Sequence, residues 1–256
     1  MQPLKSKVAP LAWLRKSGLG NHRILIYTAH ADKYVRVTIP WRRRDLHPET
    51  IGMRMLYTPA GSQIQNGMGC AEIRNIRIES ITRFEGVIVF EAPEAGIYEL
   101  YYMPHTLSGP GYCPNTDYMR PDEMTPDADW LACAEKAAVQ TASAIFYESR
   151  TEFDSFYPME QPMTHHEAKA FLDNDAPFAI VTESRLHPLR MQYEMPAVWL
   201  ERSKEHCRIL RDTVCKNEHY TFQLAVCAKE PLQNIHVDFY DANGYPISKE
   251  NAFASI

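Results

Sequence analysis

The segment Tyr34 to Asp45, with the sequence YVRVTIPWRRRD, decides how this chain folds. Side chains alternate between the two faces of a β-strand. Apolar side chains therefore occupy one face and more polar ones the other: Val35, Val37 and Ile39 against Tyr34, Arg36 and Thr38. This pattern predicts a half-buried strand. Pro40 has no amide hydrogen for a neighbouring strand, so we expect regular pairing to end there, at the edge of a sheet, with Trp41 where the chain leaves it.

Similar short extended segments occur on both sides of this strand and are separated by turn sequences such as Asn66-Gly67 and Glu85-Gly86. Short strands at this spacing are typical of an all-β sandwich. We therefore predict one over residues 23–160, after a loosely attached N-terminal arm, residues 1–22. Its further strands are expected at Arg23 to Thr28, Gly52 to Tyr57, Ile73 to Ile81, Val87 to Phe90 and Ile97 to Met103.

An insertion is predicted within this sandwich at residues 104–143. Its first part, Pro104 to Pro126, is rich in Pro, Gly, Tyr and Asp and has no periodicity, which is typical of a long loop. Its second part, Asp127 to Ser143, is rich in alanine and favours a helix. Residues that share one face of that helix are Trp130, Cys133, Ala137 and Thr141.

The second half of the chain, residues 161–256, is predicted to form a smaller, immunoglobulin-like β-sandwich. Thr164 and Glu167 have the spacing of a capping box, which predicts a short helix as far as Leu172. Strands are expected at Phe178 to Val181, Tyr220 to Ala228 and Ile235 to Tyr240. The fold class is thus mostly β, with two β-sandwich domains and a few short helices.

Composition limits the classes of partner. The formal net charge is -5, and the only dense basic run is Arg42 to Arg44, so a nucleic acid is not an expected partner. No apolar run is long enough to cross a bilayer, and the N-terminus has no continuous apolar core of a signal peptide, so neither membrane insertion nor export is expected of the chain as written.

The six cysteines never form a C-x-x-C pair, and no metal site or cofactor is expected. A disulfide is conceivable only among three cysteines that lie near each other in sequence, Cys207, Cys215 and Cys227. His165 and His166 are adjacent and point about 100° apart on a helix, which does not suit a shared metal ion.

Six stretches, in order along the chain, carry a family resemblance. They are VRVTIPWRRRD (Val35 to Asp45), VIVFEAPEAGIYELYYMPH (Val87 to His105), TEFDSFYPME (Thr151 to Glu160), TESRLHPLRM (Thr182 to Met191), PAVWLER (Pro196 to Arg202) and EHYTFQLAVCAKEPLQNIHVDF (Glu218 to Phe239). Together they resemble the N-terminal, non-barrel region of glycoside hydrolase family 123, the retaining β-N-acetylgalactosaminidases.

The resemblance implies β-sandwich domains that precede a catalytic (β/α)8 barrel. In the family, the barrel supplies an Asp that orients the 2-acetamido group of the substrate and a Glu that acts as general acid. The 256 residues contain no series of eight strand–helix repeats, so no catalytic residue is carried over. The adjacent pair Asp122 and Glu123 lies in the Pro-rich loop and is expected to be solvated, since two catalytic carboxyl groups must flank a glycosidic bond.

The residues after the strand Tyr34 to Ile39, together with Tyr102, have two possible roles. Trp41 and Tyr102 could present aromatic rings to a sugar, with hydrogen bonds to its hydroxyl groups from Arg42, Arg43, Arg44 and Asp45 and with Pro104 to Pro126 as a flexible wall. Alternatively, the tryptophan covers the edge of the sandwich, and an Arg–Asp pair fixes the loop. We expect the packing role.

These observations predict a pair of non-catalytic β-sandwich modules of a glycoside-hydrolase-family-123-like protein, acting as a scaffold or binding carbohydrate. The possible partners are a glycan containing N-acetylgalactosamine and a catalytic barrel. Glycosidase activity is expected only if a barrel is supplied elsewhere, including the case in which the chain is a fragment of a longer enzyme. The alternative is a protein-interaction module that docks to a separate barrel or to itself.

Overall fold

The computed structural model describes residues 4–63, 65–137, 139–173, 176–202, 208–248 and 252. Within these residues there are two short α-helices, α1 (Ala128–Ala134) and α2 (His165–Phe171), with 3₁₀ turns at Arg15–Ser17, Pro48–Thr50, Pro121–Glu123, Glu152–Asp154, Pro158–Glu160 and Ala197–Glu201. The strands are β1 (Ser6–Val8), β2 (His22–Thr28), β3 (Asp32–Pro40), β4 (Arg54–Tyr57), β5 (Ala71–Ile73), β6 (Ile76–Ile81), β7 (Glu85–Ala92), β8 (Gly96–Tyr101), β9 (His105–Ser108), β10 (Asn115–Tyr118), β11 (Gln140–Ser149), β12 (Phe178–Ser184) and β13 (Phe222–Ala228).

One nine-stranded sheet forms the main part of the molecule. Its order is β5-β4-β8-β2-β11-β3-β7-β6, and β1 pairs with β11 beside this path. The sheet curls so that β5 approaches β7, and apolar side chains from β2 to β8 and β11 fill the enclosed space. The prediction of a mostly β fold of the sandwich type with short helices is confirmed.

The strand predicted at Tyr34 to Ile39 is confirmed, with the expected faces. Val35, Val37 and Ile39 are completely buried, whereas the alternate side chains of β3 are only partly covered. The expectation that Pro40 marks a sheet edge is wrong, because β3 lies inside the sheet between β11 and β7. Pro40 is the last residue of β3, and the parallel pairing with β11 extends only as far as Thr38, so its missing amide hydrogen disturbs no bond to β11.

The insertion at residues 104–143 has a different structure from the predicted one. Residues 104–126 contain the antiparallel hairpin β9–β10, and the predicted helix from Asp127 to Ser143 ends at Ala134. Asp127 caps that helix by accepting a hydrogen bond from the Trp130 amide. Residues from Gln140 onward form β11 instead, because they pair in parallel with β3 and this tertiary pairing outweighs the weak helical preference of an alanine-rich segment.

The N-terminal residues are not a loose arm. Strand β1 pairs in parallel with the end of β11. Trp13 is buried and donates a 2.8 Å hydrogen bond from its indole nitrogen to the Gly20 carbonyl. It packs edge-on against Tyr101 with 5.3 Å between ring centres, so this segment covers the second face of β8. Tyr98 and Tyr102 pack in the main core on the opposite face, because side chains alternate between the two faces of a strand.

The chain divides into two compact units, residues 1–165 with 190–201, and residues 166–189 with 202–256. Within the second unit, β12 and β13 form an antiparallel pair, and the helix predicted after Thr164 is confirmed as α2. The strand predicted at Ile235 to Tyr240 is wrong, since among the described residues this segment forms no strand and its Tyr240 makes an isolated bridge with Pro246. The immunoglobulin-like sandwich of residues 161–256 stays a prediction.

Four cysteines of the described part are free thiols: Cys70, Cys113, Cys133 and Cys215. Cys207 lies outside the described residues.

Candidate functional site

The first residue after β3, Trp41, turns inward. Trp41 is 3% exposed, its amide donates a 3.1 Å hydrogen bond to the Phe84 carbonyl, and its indole Nε1 donates a 2.8 Å bond to the Thr82 carbonyl. The six-membered ring of the indole lies against the backbone of Gly86, where even one added methyl carbon would be 2.5 Å from it. The absence of a side chain at this position of β7 is therefore what leaves room for the tryptophan.

Arg43 lies between two aromatic rings. Its guanidinium carbon is 5.0 Å from the Trp41 ring centre and 4.6 Å from the Tyr102 ring centre, and the side chain is 2% exposed. Nε and Nη2 each donate to one carboxylate oxygen of Asp45, which gives a two-pronged ion pair, whereas the buried Nη1 contacts no acceptor within the described residues. Cation–π attraction and a paired carboxylate are the features that make a buried guanidinium tolerable.

Tyr102 is the centre of this aromatic group. Its ring centre is 5.4 Å from that of Trp41 and 5.4 Å from that of Tyr147. Burial raises the pKa of the Tyr102 hydroxyl far above its ordinary value, an effect that the positive charge of Arg43 partly opposes. The phenol therefore stays neutral at any physiological pH and serves the packing of the cluster.

The other two arginines of the run point outward and bind a later segment of the chain. Arg42 donates a 3.0 Å hydrogen bond to the Pro162 carbonyl. Arg44 lies 3.1 Å from Glu160 and also donates a 3.3 Å bond to the Arg190 carbonyl. The run thus alternates outward, inward and outward, as an extended backbone requires.

The return segment, residues 190–201, completes this edge of the first unit. The Met163 amide donates to the Met195 carbonyl at 2.8 Å, and Pro162 and Pro196 form an isolated bridge. Arg83, in the turn before β7, binds both carboxylate oxygens of Glu194, with 2.8 Å between Nη2 and Oε2. Apart from the family resemblance, no pattern in the sequence indicates the role of this segment, because its interactions join residues far apart in the chain.

The hairpin β9–β10 is attached near the C-terminal end of β8, where Tyr102 lies. The Met119 amide donates to the Pro104 carbonyl at 2.9 Å, and the Gly52 amide donates to the Met119 carbonyl at 2.7 Å. The rings of His105 and Tyr118 meet at 5.2 Å between centres. These bonds fix both ends of the segment, while its role as the wall of a sugar site stays a prediction.

His22 belongs to the aromatic group from the side of β2 and was missed by the sequence analysis. Its ring stacks on Phe156 with 4.4 Å between centres, and Nε2 lies 2.7 Å from the Asp154 carbonyl oxygen, to which it donates. Burial lowers the pKa of His22 to about 4, an effect that Asp154 partly opposes. His22 is therefore a neutral packing residue near pH 7.

A second buried polar group lies on the other face of β8 and was also missed. Arg23 is 2.8 Å from Glu148 and 3.0 Å from Glu99, and all three side chains are less than a tenth exposed. The Tyr101 hydroxyl donates a 2.7 Å hydrogen bond to Glu99, and burial together with that carboxylate raises the pKa of the tyrosine well above its ordinary range. An arginine inside an alternating strand is expected to face the solvent, so the sequence pattern does not indicate that Arg23 is buried.

The described residues hold neither a cluster of metal-ligating side chains nor a helix that could span a membrane. They include no group of three or more His, Cys, Asp or Glu side chains placed to hold a metal ion. Of the helices in the described ranges, none is long and apolar enough to span a membrane.

Comparison with protein families supplies the assignment. Residues 12–150 match the family described as glycoside hydrolase 123, N-terminal domain, and they make up more than half of the chain. The chain belongs to the glycoside hydrolase 123 N-terminal domain family. No curated protein and no solved structure matches the sequence.

The resemblance noted in the sequence is thereby confirmed for the first sandwich. The part matched to the glycoside hydrolase 123 N-terminal domain contains the whole nine-stranded sheet except β1, together with Trp41, Arg43 and Tyr102. Residues 190–201, which close one edge of the first unit, follow the matched part.

Proposed function

We propose that this chain is a non-catalytic β-sandwich module of a glycoside hydrolase 123 protein and that its role is to scaffold. The observation that carries the proposal is the inward position of the cluster around Arg43. Trp41, Arg43 and Tyr102 are each no more than 3% exposed, so neither aromatic ring offers a face to a sugar. The residue types that suit a sugar platform are here used to hold the edge of the sandwich together.

The cluster stabilises a segment that would otherwise be a loose connection. Residues 41–45 leave the sheet after β3, and their backbone is bound to the turn before β7 through the Trp41 and Arg43 amides, at 3.1 and 2.8 Å from the Phe84 and Arg83 carbonyls. Buried aromatic side chains supply large apolar contact areas at a low cost in side-chain entropy. A rigid edge of this kind suits a module whose task is to position a neighbouring catalytic barrel, the partner we propose.

The direct test uses the purified chain with p-nitrophenyl N-acetyl-β-galactosaminide. We expect no release of nitrophenol above that of a heat-denatured sample. Hydrolysis that follows the chain through size-exclusion chromatography would overturn the non-catalytic assignment.

A second candidate function, self-association, is favoured by one face of the β12–β13 pair. Ile180, Phe222, Leu224 and Val226 lie on the same face and are each about two-fifths exposed, at 39%, 42%, 39% and 39%. A two-stranded sheet is only marginally stable without a layer that covers its apolar face, and a second copy of the same uncharged face can supply that layer. Light scattering would decide: a dimer that becomes monomeric in Leu224→Lys supports this candidate, whereas a monomer at high concentration excludes it.

A further inference from the structure

The exposed side chains beside the buried Arg43 cluster carry a net charge opposite in sign to that of the whole chain. Arg44 and Arg190 both lie 3.1 Å from a single oxygen atom, Oε1 of Glu160. One carboxylate therefore balances two guanidinium groups, and this centre keeps an excess positive charge on a chain whose formal net charge is -5. A local charge of the sign opposite to the net charge concentrates anions at that place.

The two guanidinium groups are accessible. The side chains of Arg44 and Arg190 are each 52% exposed, whereas that of Glu160 is 27% exposed. Each arginine uses Nη1 for the glutamate. A planar guanidinium presents several N–H donors in a fixed fork that matches a carboxylate or a sulfate, and charge-assisted bonds of this kind are stronger than neutral ones.

An exposed aromatic residue follows Arg190 closely in the chain. Tyr193 is 95% exposed and lies three residues after Arg190, so their Cα atoms are at most about 11 Å apart. The backbone at Tyr193 is held on its C-terminal side, because the next residue, Glu194, forms a two-pronged ion pair with Arg83. Arg83 also donates a 2.9 Å bond to the Arg44 carbonyl, so one side chain is bound both to the backbone of Arg44 and to the carboxylate of Glu194.

We infer that Arg44, Arg190 and Tyr193 form a binding surface for an acidic saccharide, a sugar that carries a carboxylate or a sulfate group. The acidic group takes the place of water on the free N–H donors of the two arginines, and the apolar face of the pyranose ring stacks on the tyrosine. This surface lies outside the buried cluster and does not depend on the scaffolding role. A peptide of acidic residues alone satisfies the arginines equally well, but it has no ring with an apolar C–H face for the tyrosine, so the aromatic group favours the sugar.

The test is calorimetric titration of the full chain at low salt with trigalacturonate, with neutral galactotriose and with triglutamate. We expect trigalacturonate to bind at least tenfold more tightly than either of the other two and to lose affinity in 0.5 M sodium chloride. Equal affinity for the acidic and neutral sugars, triglutamate binding as tightly as the sugar, or no binding at all would each overturn the inference.

Variants locate the site. Arg44→Gln with Arg190→Gln should weaken trigalacturonate binding at least tenfold, whereas the matched removal of two exposed positive charges, Arg15→Gln with Lys16→Gln, should change it less than twofold. Tyr193→Ala should weaken binding of the sugar but not of triglutamate. Melting temperatures report folding, and the single variant Arg190→Gln, which keeps the Arg44–Glu160 pair, serves if the double variant is unstable. Unchanged affinity in both arginine variants contradicts the assignment.

Discussion

The indole Nε1 of Trp41 donates a 2.8 Å hydrogen bond to the carbonyl oxygen of Thr82, which lies three positions before the first residue of β7. Through this bond and through stacking on Arg43, the tryptophan joins the end of β3 to the turn that begins the adjacent strand. Its ring is part of the main core although the residue lies outside any strand. A residue in this position contributes to stability more than to recognition.

Replacement of the tryptophan tests this role. Trp41→Ala should lower the free energy of unfolding by about 3 to 5 kcal/mol, because a large buried ring is lost and a cavity remains. Urea unfolding followed by circular dichroism measures the change. The matched control is Phe153→Ala, which removes an aromatic ring that is 96% exposed and should change stability by less than about 0.5 kcal/mol. An unchanged unfolding midpoint in Trp41→Ala would contradict the packing role.

Gly86 provides an independent test of the same contact. A Cβ atom at this position would lie 2.5 Å from the Trp41 ring, so Gly86→Ala must displace either the indole or β7, and we expect a loss of about 1 to 3 kcal/mol. At Gly111 nothing lies within 4 Å of the added atom and the backbone angle is ordinary, so Gly111→Ala should be neutral or slightly stabilising. Equal stability of the two variants, measured by thermal unfolding, would show that the tryptophan does not occupy this position.

The sequence was sufficient for the elements whose pattern is local. The alternation from Val35 to Ile39 specified both the strand and its buried face, and the capping-box spacing at Thr164 specified a helix. It failed at Gln140 to Ser143, where composition favoured a helix but parallel pairing with β3 imposed a strand. Local propensity is a weak preference that tertiary contacts commonly override.

The candidate site was predictable only in part, for the same reason. The run Arg42 to Arg44 indicated that charge gathers after β3, and extended geometry alone separates Arg43 from its two neighbours. Which side of the run faces the core depends on Tyr102 and on residues 157–163 and 190–196, which approach only in the folded chain. Glu160 and Arg190 are separated from Arg44 by more than 100 residues, a distance over which no sequence pattern extends.

The buried charges of β2 give a third prediction. Arg23→Ala leaves Glu99 and Glu148 buried without their guanidinium partner, which should lower the free energy of unfolding by about 3 to 5 kcal/mol. Arg36, whose side chain is 43% exposed, binds Glu79 at 2.8 Å, and Arg36→Ala is the matched control with an expected loss of about 1 kcal/mol or less. Losses of similar size in the two variants, measured by chemical denaturation, would contradict the structural role of the buried group.

The last prediction concerns acid stability and rests on His22. Burial lowers the pKa of this histidine in the folded chain from an ordinary 6.5 to about 4; Asp154 opposes this shift and the charge of Arg43 adds to it. Between these two pH values the unfolded chain binds a proton that the folded chain does not. Stability therefore falls by up to about 3 kcal/mol as the pH decreases from about 6.5 to about 4. Above about pH 6.5 this stability is fully retained, because the histidine is neutral in both the folded and the unfolded chain.

Other groups also titrate in this range, so the informative quantity is the difference between the parent chain and His22→Gln. Glutamine keeps an amide donor that can serve the Asp154 carbonyl, the acceptor that His22 uses at 2.7 Å, but it binds no proton. Urea unfolding at half-unit pH intervals should give a shallower decline for the variant, with the gap between the two curves narrowing by up to about 3 kcal/mol towards pH 4. Parallel curves would mean that the histidine is protonated equally easily in the folded and unfolded chain, and that its ring is not held in the buried aromatic group beside Phe156.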